Sequence, residues 1–343
     1  MDRYARQRIL PEVGEVGQEK LGASKVCVIG AGGLGCPSLQ YLAASGVGQI
    51  TILDEDLVEE SNLGRQILFS PDDLGQPKAE VAKKALERLN PNLQVDARVE
   101  RFRADNAESL AQDHHVFLEG SDNFSTKFLV NDTAHITGTP AVIGGVLRWE
   151  GQVFTEIKGS PCYRCLFIEP PPPHVVPNCS EVGTMGPVAG LISNLQSLEV
   201  LKICLGLEPS LAGAMASIDG KKLKIRTLPI PHNPLCPLCG DHPTITQLIE
   251  TGVTQCSLKG EAEKVLITYE GNQRVIKVER ALKSQGYQVE PRVTPRQLSN
   301  ECGICLEVTH KGPEQKDQLL TWLEKKGLSP IRCLDWHPER LEK

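Results

Sequence analysis

The tightest constraint on the fold is a stretch of about 30 residues, the length of a right-handed parallel crossover. The apolar run Val26-Cys27-Val28-Ile29 leads into Gly30-Ala31-Gly32-Gly33-Leu34-Gly35, a helical pattern follows to about Ser45, and Gln49-Ile50-Thr51-Ile52-Leu53 then ends at Asp54. This order reads as strand, glycine turn, helix and strand. The spacing Gly30-x-Gly32-x-x-Gly35 lets the backbone turn tightly and lets an anion approach the unpaired amides of a helix N-terminus. Asp54 arrives 19 residues after the last of these glycines, where a carboxylate can accept from ribose hydroxyls. The motif points to a nucleotide without saying which one. Its bland alternative is a tight turn with no ligand.

The same alternation continues downstream. Residues 76–90 read as a helix stopped by Pro91, and 95–99, 115–118, 141–145 and 151–155 read as strands, so a doubly wound sheet is the economical architecture for residues 20–160. With 343 residues against roughly 150 for one domain, two folding units are expected. Pro170 to Pro173 are expected to form an exposed, stiff crossover loop, 190–205 has helical spacing, and 233–240 is expected to close the first unit. We therefore divide the chain into a first domain at 1–242, a linker at 243–262 and a small α+β domain at 263–343. In the last, strands near 264–269, 287–289, 305–308 and 331–334 alternate with helices at 273–285 and 313–326.

Composition removes several classes of function. Apolar residues make up 40% of the chain and charged residues 23%, enough for a packed core. With 37 basic against 43 acidic side chains the formal charge is −6, which argues against a nucleic-acid partner. The segment Met1–Arg8 has no apolar h-region, and no stretch approaches the roughly 20 consecutive apolar residues of a membrane span, so a cytoplasmic location without membrane contact is expected. The abnormal number is twelve cysteines, too few in 343 residues for a disulfide scaffold. Cys162-x-x-Cys165 and Cys236-x-x-Cys239 have the spacing of two zinc knuckles, which together make a closed, structural four-thiolate site. Redox dithiols are the rival, although neither pair has a thioredoxin-like pattern and both lie beside prolines that suit rigid knuckles.

Between Asp54 and Lys78 runs a polar series: Asp54-Glu55-Asp56, Asn62, Arg65-Gln66 and Lys78. Such a run is often only a solvated face. Directly after a nucleotide-type turn, however, two cations able to neutralise a triphosphate and carboxylates able to hold ribose or magnesium form a complete chemical set. A hydride-transfer enzyme needs no such cations, whereas nucleotidyl transfer does.

Residues 1 to about 242 resemble the ThiF/MoeB/HesA family of adenylyltransferases, relatives of ubiquitin-activating enzymes. The resemblance runs in order through Arg3-Tyr4-x-Arg6-Gln7, the glycine turn, Asp54-x-Asp56, Ser61-Asn62-Leu63-x-Arg65-Gln66 and Gly75-x-Pro77-Lys78. It continues through Asp122-Asn123, Gly151-Gln152-Val153, Pro161-Cys162-Tyr163-Arg164-Cys165, Cys179, Leu195-Gln196-x-Leu198-Glu199-x-x-Lys202 and Cys236-Pro237-x-Cys239-Gly240. It implies a Rossmann-like sheet with structural zinc knuckles. The implied activity is ATP- and magnesium-dependent adenylation of the C-terminal glycine of a small ubiquitin-like, Gly-Gly-ended sulfur carrier. Carried over by position, Gly30, Gly32, Gly33, Gly35, Asp54, Asp56, Asn62, Arg65, Gln66 and Lys78 would bind ATP. Arg65 and Lys78 would also stabilise charge on the α-phosphate and departing pyrophosphate, Asp122 would hold Mg2+, and Arg6 would reach the phosphates from the neighbouring subunit of a homodimer. The family commonly has arginine where this chain has Lys127, which loses the fork but keeps the charge.

Cys179 matches the family's loop cysteine. In some members it attacks the adenylate or links to the carrier, in others the adenylate passes to an external sulfur donor such as a cysteine desulfurase, and here a bland exposed thiol is an equal reading. The segment 264–336 resembles a selenium/sulfur-carrier-like domain rather than a rhodanese domain, with Cys302-Gly303-Ile304-Cys305 adding a second thiol to its pattern. Cys302 and Cys305 form a candidate sulfur relay; the alternative is a turn thiol beside a strand thiol. An NAD(P)-dependent Rossmann oxidoreductase and a non-catalytic carrier-binding adaptor remain as alternative functions.

Overall fold

The computed structural model describes residues 2–170, 183–250, 263–268, 272–285, 287–293, 304–310, 313–328 and 332–336. The chain separates into two compact units, 1–253 and 254–343.

In the first unit an eight-stranded sheet has the order β3-β2-β1-β4-β5-β6-β7-β8. Its parallel part comprises β1 (Lys25–Ile29), β2 (Gln49–Leu53), β3 (Gln94–Arg98), β4 (Val116–Glu119) and β5 (Ala141–Leu147). Alternate strand residues point to opposite faces, so Val26, Val28, Ile50, Ile52 and Leu118 enter one core while Cys27, Ile29, Leu53 and Phe117 enter the other. Helices α3 (Gly35–Ser45) and α4 (Lys78–Leu89) cover the first face, and α5 (Ala104–Asp113) and α6 (Phe124–Thr137) cover the second. Two buried layers explain why the strands read as nearly continuous apolar runs.

The parallel alternation stops at β5, earlier than the sequence pattern implied. Only Arg148 and Trp149 separate β5 from β6 (Glu150–Glu156), too few for a crossover, so β6 returns antiparallel. Arg148 takes the left-handed conformation, φ 56°, that such a tight hairpin demands. Strands β7 (Ala214–Asp219) and β8 (Lys224–Pro229), absent from the sequence reading, extend the antiparallel end. So are α1 (Ala5–Arg8), α2 (Gly14–Ala23), α5 and α6. After the four-residue helix α7 (Tyr163–Leu166), α8 (Gly186–Leu205) is long and apolar enough by length and composition to cross a membrane, which the sequence reading did not anticipate. In this fold it packs on α3 and on strands β4, β5 and β6, with Gln196 and Glu199 buried.

The second unit has a four-stranded antiparallel sheet, β10-β11-β9-β12. It contains β9 (Glu263–Thr268), α9 (Asn272–Ser284), β10 (Gln288–Val293), β11 (Ile304–His310), α10 (Pro313–Lys325) and β12 (Arg332–Trp336). Val265, Ile267, Leu306 and Val308 pack with Val278, Leu282, Leu319 and Leu323 in a core of its own. The expected α+β order is present, with boundaries shifted by a few residues.

Candidate functional site

Strands β1 to β3 step one way across the sheet and β4 and β5 lie on the other side, so the carboxyl ends of β1 and β4 flank the point where strand order reverses. A cleft of about 740 Å³ opens there. Gly30 turns the chain out of β1 with φ 90°, and a Cβ on it would meet the Ser121 amide nitrogen at 3.0 Å. Gly30, Gly32 and Gly33 line the cleft. Gly35 has a different job from the one assigned by position: it opens α3 so close to the turn that a Cβ would lie 2.0 Å from the Gly30 carbonyl oxygen, and it is absent from the cleft lining.

Asp54 follows β2 and is buried at 9% exposure. Its Oδ2 accepts the Ala31 N–H at 2.7 Å and its Oδ1 accepts the Asp56 N–H at 2.9 Å, so it braces the glycine turn as well as bordering the cleft. Burial pushes its carboxyl up, against the opposing pull of Lys78 and these two amides. Lys78 opens α4, and its ammonium donates to Asp56 Oδ2 at 2.8 Å. Arg65 lays its aliphatic stem beside Gly33 and donates from Nη1 to the Ser61 carbonyl at 3.1 Å. A 3-10 turn at Glu60–Asn62 brings Asn62 and Gln66 to the same wall.

Asn62 and Gln66 are only 6% and 3% exposed, yet Asn62 Oδ1 and Gln66 Oε1 have no hydrogen-bond partner. Leaving a buried polar atom unpaired costs about 1–3 kcal/mol, so two on one cleft mark a place where a polar ligand completes the bonding. Across the cleft, Asp122 is exposed and its carboxylate has no hydrogen-bond or ion-pair partner among the described residues, and the exposed carboxylate of Glu150 has none either. An uncommitted carboxylate on the wall of such a cleft is the kind of hard oxygen donor that magnesium takes.

The cleft gathers Asp54, Asp56, Asn62, Arg65, Gln66, Lys78 and Asp122. It also includes Ser121, Lys127, Gln152 and Ser217, none of them among the residues assigned to the site from sequence. Gln152 stands in the Gly151-Gln152-Val153 block and was discoverable there; Ser217 lies on β7 and had no motif to announce it. Arg6 is exposed on α1 and does not line the cleft. Tyr4, two residues earlier, packs on Gly46 at the far end of α3, and that helix is about 16 Å long. Cys179 and Cys302 lie outside the described residues, and Cys305 is on β11.

Away from the cleft, the Sγ atoms of Cys162, Cys165, Cys236 and Cys239 all lie within 4.8 Å of one another. The closest pairs are 3.3 to 3.5 Å apart. Disulfides require about 2.05 Å, whereas four thiolates about 2.3 Å from a zinc ion are about 3.8 Å apart. The donor set therefore fits a closed metal site. Burial raises the Cys162 thiol, and it lifts Cys239 to about 12. At Cys236 burial also pushes upward, but the Cys239 and Leu238 amides together with the Cys162 and Cys239 thiols offset it and the thiol falls below its ordinary value. The knuckle is anchored by Arg164, whose guanidinium grips Asp132 at 2.6 and 2.7 Å.

Two family models match the chain: the ThiF family over residues 4–238 and a Se/S carrier protein-like family over 264–333. A sulfur carrier protein adenylyltransferase of Thermus thermophilus is 44% identical over 256 residues, 73% of this chain and 94% of its own. The SAMP-activating enzyme E1 of Haloferax volcanii is 42% identical over 70% of this chain and 89% of its own. The adenylyltransferase and sulfurtransferase MOCS3 of Danio rerio is 44% identical over 72% of this chain but only 54% of its own. Among solved structures, Escherichia coli MccB with ATP aligns with a TM-score of 0.59 at 25% identity, covering 70% of this chain and 75% of that one.

Proposed function

The chain belongs to the ThiF family, and from that membership we propose that it adenylates the C-terminal carboxylate of a small ubiquitin-like, Gly-Gly-ended sulfur-carrier protein. The observation that carries this reading is the cleft itself, where two buried acceptors without partners, two cations and an uncommitted carboxylate converge on one glycine turn. A carboxylate oxygen of the carrier attacks the α-phosphorus of ATP, the bond from that phosphorus to the α–β bridging oxygen breaks, and its electron pair leaves with pyrophosphate. Arg65 and Lys78 stabilise the charge that builds on the non-bridging oxygens and the leaving group. Asn62 and Gln66 complete their bonding on ribose or phosphate, Asp54 and Asp56 border the nucleotide, and Gly30, Gly32 and Gly33 admit it.

Magnesium, when bound, neutralises phosphate charge, and Asp122 is the residue that would hold it. Zinc would be held by Cys162, Cys165, Cys236 and Cys239, where it joins two segments 74 residues apart without touching the reaction. Arg6 serves a cleft other than its own, which makes a homodimer part of this reading. Sulfur then enters from a donor such as a cysteine desulfurase. A persulfide on Cys302 attacks the acyl carbon with loss of AMP, and Cys305 attacks the Cys302 sulfur, releasing a thiocarboxylate and leaving a Cys302–Cys305 disulfide. Cys179 is the other candidate nucleophile. The names of the relatives disfavour the nicotinamide and adaptor alternatives, and a cytoplasmic location accords with this chemistry.

The test is ATP–pyrophosphate exchange. Exchange that depends on a Gly-Gly-ended carrier and disappears in Arg65→Ala and Asp122→Ala is expected; exchange unaffected by both substitutions would refute the assignment.

A further inference from the structure

Beneath the cleft lies a buried ion pair that the adenylation scheme leaves unused. Lys127, in the first turns of α6, is 5% exposed. Its ammonium donates to Glu119 Oε2 at 2.6 Å, to the Ser121 carbonyl at 2.6 Å and to the Gly144 carbonyl at 2.7 Å. An ammonium has three N–H donors, and all three are spent, so Lys127 borders the nucleotide cleft without a donor to offer a phosphate. Glu119, the last residue of β4, is fully buried. Its Oε1 accepts both the Ser121 N–H and the Ser121 hydroxyl.

These bonds tie together the end of β4, the turn after it and β5. On the far side of the turn, Asn123 Oδ1 caps α6 by accepting the Ser125 N–H at 2.9 Å and hydroxyl at 2.6 Å. The arch 120–123 is thus fixed at both ends. Asp122 sits at its crown, its carboxylate free of hydrogen bonds and ion pairs among the described residues and bordering the cleft.

We propose that Lys127 is a positioning residue for the divalent cation that accompanies the nucleotide: by joining Glu119, Ser121 and Gly144, it sets the arch that holds the Asp122 carboxylate on the cleft wall. The proposal rests on the adenylation reading and adds a residue that never touches the reacting atoms. Its chemistry suits lysine, because three acceptors converge on one nitrogen, whereas a planar guanidinium spreads its donors over a fork.

Isothermal titration of the full chain with ATP, in Mg2+ and in EDTA, tests this without relying on turnover. Wild type binds ATP more tightly in Mg2+. Lys127→Met is expected to reduce that Mg2+-dependent gain by about tenfold, in line with the effect of residues that support a metal ligand, while affinity in EDTA changes little. Because Lys127→Met leaves Glu119 without its counter-charge and can destabilise the fold, Glu119→Gln/Lys127→Met is measured beside it; this variant buries no unpaired ion and should show the same loss. In an Asp122→Asn background either change should remove nothing further. A folded variant that keeps the wild-type Mg2+ gain, or a loss that adds to that of Asp122→Asn, overturns the positioning role while leaving adenylation intact. A wild type that binds no ATP overturns both.

Discussion

Two glycines three residues apart in one turn carry opposite predictions. A methyl on Gly32 would meet nothing closer than Gln66 Nε2 at 3.8 Å, so Gly32→Ala should melt like wild type yet intrude on the cleft and weaken ATP binding by about tenfold, roughly 1.4 kcal/mol. A methyl on Gly35 would lie 2.0 Å from the Gly30 carbonyl oxygen, so α3 or the turn must move, at a cost of roughly 1–3 kcal/mol. Calorimetric melting together with nucleotide titration separates the two; equal melting temperatures would refute the packing role of Gly35. Most of the cleft residues were legible because a phosphate site needs a stereotyped turn, paired cations and carboxylates in a fixed order. Lys127 was visible only as a position where the family commonly has arginine and Glu119 not at all, since their meaning lies in three acceptors brought together by β4, β5 and α6, which no spacing in the chain displays. Gly35 was legible as part of the motif, but only the helix-to-turn distance shows that it serves packing.

At the scale of elements, His114 joins α5 to β2: one ring nitrogen is 2.8 Å from the Leu110 carbonyl and the other 2.7 Å from Thr51 Oγ1. Burial is the main cause holding this imidazole below its ordinary value of 6.5. The folded state therefore binds its proton less readily than the unfolded chain, so stability should fall as pH drops below about 6.5, and continue falling until the depressed folded value is reached. Denaturant titrations across that window should show a shallower acid loss in His114→Gln than in wild type; parallel curves would exclude His114 as a source. The cysteine knuckles make a second element-scale prediction. Their sulfurs pack with Leu238 and Ile136, the latter on the helix whose other end carries the Asp122 arch. Binding free energy at a closed thiolate site is also folding free energy. One zinc per chain is accordingly expected by elemental analysis, with chelation lowering the melting temperature before it alters ATP affinity. A metal-free protein with an unchanged melt would leave the four thiols a packing cluster. Elements with one clear period were readable from sequence, but α6, buried at every position from Lys127 to Ala134, has no polar stripe to mark it. Strand β8 is exposed throughout and lacks the in–out alternation that betrays a half-buried strand.

On the scale of the whole molecule, each unit has its own core: the two faces of the large sheet in residues 1–253, and the Val265 to Leu328 cluster in residues 254–343. All the proposed adenylation residues belong to the first, so a chain ending at Val253 should fold and still catalyse carrier-dependent exchange while losing any sulfur transfer that uses Cys302 and Cys305. The position of Arg6 makes the sharpest demand on the assembly. It stands on α1, near the end of α3 remote from the glycine turn, and is not among the residues bordering its own cleft. If it acts on a neighbouring cleft, Arg6→Ala and Lys78→Ala should each abolish exchange alone and repair each other when mixed. In a mixed dimer, the cleft with Lys78 intact belongs to the Arg6→Ala chain and receives Arg6 from its partner, while the other cleft lacks both groups. Random reassortment makes half the dimers mixed and one of their two sites competent, so activity should recover to about a quarter of wild type per site. A residue acting within its own chain gives no recovery at any mixing ratio, and that result would remove both Arg6 and the homodimer from the mechanism.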